Sequence, residues 1–113
     1  MLTFDVLTLF PGILAGPLQE SILKRAQEKS LLSVRLWNIR DFTDDKHRTA
    51  DDSPYGGEAG MVMKPEPIFR AIERVKAEAA DRELLTVLLS PQGKRFDHRT
   101  AEDLARGQRR IIM

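Results

Sequence analysis

The feature that most narrows the fold is the order of hydrophobic periods in the first forty residues. Leu2-Thr3-Phe4-Asp5-Val6-Leu7-Thr8-Leu9-Phe10 alternates at its start and is rich in β-branched and aromatic side chains, which predicts a strand ended by Pro11-Gly12. A short helical turn follows and breaks at Gly16-Pro17, because proline suits the first position of a helix and not its interior. From there Leu18, Ile22, Leu23 and Ala26 fall on one helical face, with charges opposite, to about Lys29. Leu32, Val34 and Leu36 then alternate with Ser33, Arg35 and Trp37 in a second strand reaching about Ile39. Strand, helix, strand is the order of a parallel βαβ unit. The expected class is α/β, a mostly parallel sheet with flanking helices.

Residues 40–64 behave differently: they are polar, rich in Asp and Gly, and follow neither period. So long a connection inside a compact domain is usually functional or disordered. Pro65 and Pro67 open a helix whose buried face is predicted to be Ile68, Ile72, Val75 and Ala79. Leu84-Leu85-Thr86-Val87-Leu88-Leu89 is nearly continuous apolar sequence, the pattern of a central strand covered on both faces. Thr100-Ala101-Glu102-Asp103 resembles a capping box for a short helix that Gly107 ends. Arg109-Arg110-Ile111-Ile112-Met113 begins a strand that belongs in the sheet interior and stops without a turn. The expectation is a piece of a longer protein, cut in mid-element.

Composition bounds what such a chain can do. The 113 residues contain no cysteine, so disulfide scaffolds and thiolate metal sites are excluded. The N-terminus lacks a basic stretch and carries an acid at position 5, unlike a secretory signal. No apolar run approaches a membrane span. These features predict a soluble, cytoplasmic domain with no membrane partner. Net charge is only +1, but residues 94–113 hold six basic side chains against three acidic ones, a segment able to lie along phosphates.

Three segments could carry chemistry. In Asp41–Asp52, His47 and Arg48 are candidate donors to a phosphate or a base edge. The acids around them match no calcium-loop spacing, and the interleaved basic residues favour internal ion pairs, so the segment reads as a shaped recognition loop and no metal is assigned. In Pro54-Tyr55-Gly56-Gly57-Glu58-Ala59-Gly60-Met61, three glycines open backbone conformations closed to other residues, and Tyr55 is placed to stack on a base. The spacing is neither a P-loop nor a dinucleotide fingerprint. Ser90-Pro91-Gln92-Gly93 leaves an apolar strand, where open parallel sheets hold their ligands, and suits an adenosine or ribose cradle.

Taken together, Leu9-Phe10-Pro11, Arg25-Ala26, Trp37-Asn38-Ile39-Arg40-Asp41-Phe42-Thr43, Asp45-Lys46-His47-Arg48-Thr49, Asp51-Asp52, Pro54-Tyr55-Gly56-Gly57, Gly60-Met61 and Leu89-Ser90-Pro91-Gln92-Gly93 resemble the bacterial TrmD-type tRNA (guanine-N1)-methyltransferases over essentially the whole chain. Ile39 departs from a usual proline, and Glu58-Ala59 from a position often held by glycine. The resemblance implies a SPOUT fold with a deep trefoil knot, working as a homodimer. It implies methyl transfer from S-adenosylmethionine to the ring nitrogen of the guanine just 3′ of the tRNA anticodon.

By the same likeness Leu89, Ser90, Pro91, Gln92 and Gly93 wall the cofactor pocket. His47, Arg48, Asp51, Asp52, Tyr55, Gly56, Gly57 and Gly60 belong to a loop that meets tRNA. The general base, an aspartate in the family, is expected downstream of Met113, as are the knot and a C-terminal tRNA-binding domain; residues 1–113 would then hold no catalytic residue and be inactive alone. A lesser reading makes Asp51 or Asp52 the base. The rival readings are a non-catalytic nucleic-acid-binding module and a subunit-interaction domain.

Overall fold

The computed structural model describes residues 1–54, 56–57, 59–79, 83–107 and 110–113. Strands β1 (Leu2–Thr8), β2 (Leu32–Asn38), β5 (Leu84–Thr86) and β6 (Arg110–Ile112) form a parallel sheet in the order β2-β1-β6-β5. β1 and β2 pair along their full length from Leu2 opposite Leu32 to Thr8 opposite Asn38. β3 (Asp51–Asp52) and β4 (Val62–Met63) form a separate antiparallel pair. Helices α1 (Pro11–Leu18), α2 (Ser21–Glu28), α3 (Pro65–Ala79) and α4 (His98–Arg106) connect them, with a 3₁₀ turn over Ile39–Phe42. The parallel α/β class expected from the sequence is the one observed.

β6 lies inside the sheet, as its apolar pair predicts, and Ile111 and Ile112 are fully buried. β5, predicted to be central and covered on both faces, instead pairs only with β6 among the described residues and ends after three residues. Leu88 and Leu89 beyond it are 86% and 74% exposed. The late insertion of β6 between β1 and β5 takes the central position that the apolar run of β5 suggested.

Two helix boundaries also differ from expectation. α1 runs through Gly16-Pro17 to Leu18, and the break falls at Gln19-Glu20, whose N–H groups bond back to the carbonyls of Gly16 and Pro17. Pro17 stands in the last turn, where its missing N–H costs a single helical bond. The apolar face predicted over residues 18–26 leaves Ile22 and Leu23 exposed. α4 starts at His98, not at Thr100: Asp97 caps it, its carboxylate accepting from the Thr100 N–H (2.8 Å) and hydroxyl (2.7 Å). Gly107 ends the helix as predicted.

α3 buries Pro67, Ala71, Val75 and Ala79, a strict four-residue stripe. The predicted Ile68 and Ile72 are only half-buried; proline and alanine allow the helix to approach the 3₁₀ turn and sheet closely, displacing the larger isoleucines to the side.

At the centre of this face sits a charge. Asp5 is fully buried and accepts from Arg110 Nε (2.5 Å), Arg110 Nη2 (3.1 Å) and Trp37 Nε1 (2.8 Å), with Arg35 Nε at 3.8 Å. The Asp5 hydrogen bond raises the Arg110 guanidinium above its ordinary value. Arg35 lies over the Trp37 ring, 4.5 Å from its centroid, and reaches Glu78 on α3 at 2.6 Å. Asp5→Ala leaves Arg110 buried without its partner and is expected to cost about 3–5 kcal/mol. Asp5→Leu with Arg110→Leu is expected to cost less than either single change. Urea titration followed by Trp37, the single tryptophan, measures this; additive losses would show that the pair is uncoupled.

Candidate functional site

The first candidate region is the turn at the carboxyl end of β5. Val87 N–H bonds the carbonyl of Ile112 (2.8 Å) and carries the chain off the sheet. Gly93 N–H then returns to the Ser90 carbonyl (3.1 Å), and the Ser90 hydroxyl accepts from Gln92 N–H (3.2 Å). A β-carbon on Gly93 would stand 3.3 Å from the Ser90 carbonyl oxygen, so a larger residue there requires the turn to open by a few tenths of an ångström. Leu89, Ser90, Pro91 and Gly93 line a cavity of about 720 Å³ between the sheet and the residues leading into α4, with Phe4 and Ile111 as its apolar floor. Gln92 of the predicted set is not in that lining.

Leu89 also borders a second, apolar cavity of about 500 Å³, walled by Ile39, Ile68, Ile72 and Met63. Met63 belongs to β4, at the foot of the polar loop. The two predicted regions therefore meet across this cavity.

The second region is that loop, and its fold begins at Asn38, whose side chain accepts from Arg40 N–H (3.0 Å) and starts the 3₁₀ turn. Arg40 and Arg48 bind reciprocally, each guanidinium donating to the other's carbonyl at 3.3 Å, and Arg48 also pairs with Asp41. Arg48 sits at φ +52°, a left-handed conformation costly for a residue with a β-carbon. Thr49 donates both its N–H (2.8 Å) and its hydroxyl to Asp45. Those bonds, the hydroxyl first, hold the Asp45 carboxyl below its ordinary value of 3.8. Arg70 of α3 clasps the loop from outside through the Phe42 carbonyl (2.9 Å) and Asp44 (2.5 Å).

These contacts sort the predicted RNA-facing residues. His47 is exposed, while Arg48 is spent inside the loop as the expected internal ion pairing requires. Asp51 and Asp52 form β3, against Met63 and Val62, and Asp52 also accepts from Ser53 N–H (2.8 Å). Gly56, Gly57 and Gly60 adopt φ of +86°, +74° and +98°, the left-handed backbone that their clustering suggested. Tyr55 lies outside the described residues. Sequence reading missed Arg40 and Arg70 as braces; isolated arginines carry no pattern that announces a bond to a distant carbonyl.

This arrangement has a close structural counterpart. A crystal structure of a tRNA methyltransferase from Aquifex aeolicus superposes with a TM-score of 0.81 and 33% identity, over 98% of this chain and 49% of that one. The fold is accordingly that of the SPOUT class. Residues 2–113 match the family described as tRNA (guanine-1)-methyltransferase TrmD, and the chain belongs to that family. Relatives named tRNA (guanine-N(1)-)-methyltransferase include one from Dictyoglomus turgidum, 49% identical over the whole chain, and one from a Geobacter species, 57% identical over 97% of it. The chain spans 44% and 43% of the lengths of these two relatives.

Two outcomes follow from the loop geometry. Gly57→Ala places a β-carbon at φ +74° and is expected to cost about 1–2 kcal/mol locally. Exchange of the Lys64 amide, bonded to the Ala50 carbonyl at 2.8 Å, should then quicken about 5- to 30-fold, with unchanged exchange in β1 as the control. Because Asp45 is held below its ordinary carboxylate value, its contribution to the loop is present above pH 3.8 and is lost as pH falls through the lower folded value. Amide exchange of Thr49 across that range reads the loss, and Asp45→Asn should flatten the dependence.

Proposed function

We propose that this chain is the cofactor-side portion of an enzyme that transfers methyl from S-adenosylmethionine to the ring nitrogen of the guanine 3′ of the tRNA anticodon. The observation that carries the reading is the Ser90–Gly93 turn over a cavity of about 720 Å³, in a chain that matches the tRNA methyltransferase family from residue 2 to residue 113. Small-molecule sites are of this size and combine apolar walls with a few placed polar groups. The lining fits an adenosyl group: Phe4, Leu89 and Ile111 are apolar, while Ser90 and the turn backbone supply polar atoms. Leu89, Ser90, Pro91 and Gly93 would hold S-adenosylmethionine, which supplies an activated methyl group, with Gln92 stiffening the turn through its N–H to Ser90.

Displacement at a sulfonium gains much of its rate from alignment of the two reactants. On this reading the braced loop of residues 40–64 fixes one side of that alignment and the turn fixes the other. His47, Arg48, Asp51, Asp52, Tyr55, Gly56, Gly57 and Gly60 belong to the surface that faces tRNA, with Arg48 shaping the loop from within. The guanine nitrogen must also lose a proton, which requires a positioned base. We assign that base, the knot and a C-terminal tRNA-binding domain to the portion of the protein that the relatives carry beyond this chain. The enzyme is read as a cytoplasmic homodimer; no described helix is long and apolar enough to cross a membrane.

A chimera joining this chain to the remaining portion of the Geobacter relative tests the assignment. It should bind S-adenosylhomocysteine and incorporate labelled methyl into tRNA, whereas residues 1–113 alone should incorporate none above background. Gly93→Val in the chimera should raise the Kd for S-adenosylhomocysteine about tenfold, equivalent to about 1.4 kcal/mol. Asp51→Asn or Asp52→Asn should raise the KM for tRNA more than it lowers kcat. A loss confined to kcat would move the base into this chain, and tRNA binding without cofactor binding would make it a nucleic-acid-binding module.

A further inference from the structure

Among the described residues, most arginines are consumed by the chain's own acids: half-buried Arg35 and exposed Arg74 by Glu78, Arg48 by Asp41, Arg70 by Asp44, and Arg106 by Glu102. The segment entering α4 breaks that habit. Lys94, Arg95 and Arg99 are exposed, and among the described residues none of them pairs with an acid. Of the acids near them in sequence two are engaged elsewhere, while Asp103, four residues after Arg99, pairs with none of these cations. Asp97 accepts both the N–H and the hydroxyl of Thr100, and Glu102 lies between His98 (3.4 Å) and Arg106 (3.6 Å). Phe96 stands between the cations and is 68% exposed, an apolar ring left largely in water.

Position adds a second constraint. Lys94, Arg95 and Phe96 line the same 720 Å³ cavity as Ser90, Pro91 and Gly93, on its α4 side. Cations that could have been paired, placed beside an exposed ring at the rim of a cavity, are the elements with which proteins hold a single strand: charge along the backbone and an aromatic face for a base. α2 also carries unpaired cations, Lys24 and Arg25, but no aromatic stands among them.

We propose that Lys94, Arg95, Phe96 and Arg99 form a contact surface for single-stranded RNA, the cations on successive phosphates and the ring of Phe96 under a base. The assignment rests on the tRNA reading above and extends it to residues outside the glycine loop. It places the incoming strand along the lip of the donor cavity, so that a base leaving the loop of a hairpin is delivered beside the turn at Ser90.

The test uses the chimera described above and a fluorescein-labelled 17-nucleotide RNA hairpin with a seven-nucleotide loop, followed by anisotropy between 50 and 300 mM KCl. Lys94→Ala/Arg95→Ala/Arg99→Ala should weaken binding at least tenfold at 50 mM and reduce the slope of log Kd against log salt by about 2, the loss of three single-strand phosphate contacts. The charge-conserving Lys94→Arg/Arg95→Lys/Arg99→Lys should restore the slope. Phe96→Ala should weaken binding about 5- to 150-fold with the slope unchanged.

A wild-type chimera that binds the hairpin, with a triple-alanine variant that matches it within twofold, overturns the surface, and so does a wild-type chimera that methylates tRNA but fails to bind the hairpin. A parallel titration of the chimera with S-adenosylhomocysteine separates the sources of anionic charge: triple-alanine loss of cofactor affinity with RNA affinity intact would give these cations to the cofactor carboxylate and overturn the proposal. If the surface fails while the wild-type chimera still methylates tRNA, the functional reading stands without it.

Discussion

The sheet depends on one buried carboxylate. Taking the Asp5 charge out of water carries a penalty of several kcal/mol, and no neighbour close in sequence offsets it. The compensation arrives from Arg110, 105 residues along the chain, with two hydrogen bonds, and from Trp37 on the opposite strand with a third. Asp5 therefore reaches its paired state only when β6 has entered between β1 and β5. The pair specifies strand order as much as it stabilises: in any other arrangement an ionised side chain stays buried without its partner. That is a cost large enough to discriminate against neighbouring registers, because a one-residue slip would turn Asp5 away from Arg110.

The same carboxylate organises what lies above the sheet. By fixing the indole N–H of Trp37 it sets the ring on which Arg35 lies and against which Phe42 tilts, with ring centroids 6.2 Å apart. Arg35 in turn ties the face to α3 through Glu78, whose carboxyl is held below its ordinary value by hydrogen bonds from Arg35 and then Arg74. α3 closes the circuit by sending Arg70 back to Phe42 and Asp44. The polar segment after the 3₁₀ turn is thus cross-linked by charge and by arginine bonds to the carbonyls of Arg40, Phe42 and Arg48.

How much of this a sequence can show depends on whether the information is periodic. β1, β2 and their parallel relation were legible because period-two alternation and an intervening helix leave few topologies. The Ser90–Gly93 turn and the left-handed glycines were legible because proline and clustered glycine have narrow backbone meanings. β5 was misplaced because an apolar run records burial without recording neighbours, and its neighbour is a later strand that sets Arg110 opposite Leu84. The α4 cap was displaced by three residues because Asp97 and Thr100 both satisfy a capping pattern, and only the Asp97 carboxylate reaches the free N–H. Arg48 looked like a phosphate donor because nothing in an isolated His-Arg pair shows that Asp41 and the Arg40 carbonyl consume it. Asp5, the residue on which most depends, was read only as an acid unsuited to a signal peptide; one carboxylate in a strand has no period.

On the proposed reading, these dependencies converge where the two reactants are to meet. The Ser90–Gly93 turn hangs from β5, a three-residue strand whose described partner is β6, and β6 is placed by the Arg110–Asp5 pair. The loop that faces it starts from the 3₁₀ turn, which Trp37 and Asn38 seat on β2. Both sides of the cavity bordered by Leu89 and Met63 are therefore referred to the same buried charge, from opposite flanks of β1. Alignment of two reactants tolerates displacements of well under 1 Å before rate is lost. Loops alone do not hold such tolerances, but two loops that leave the edge strands β2 and β5 share a common frame when the two strands between them, β1 and β6, are tied by one buried ion pair. A soft hinge between them would let each move separately; the charged centre of the sheet makes their separation a property of the fold.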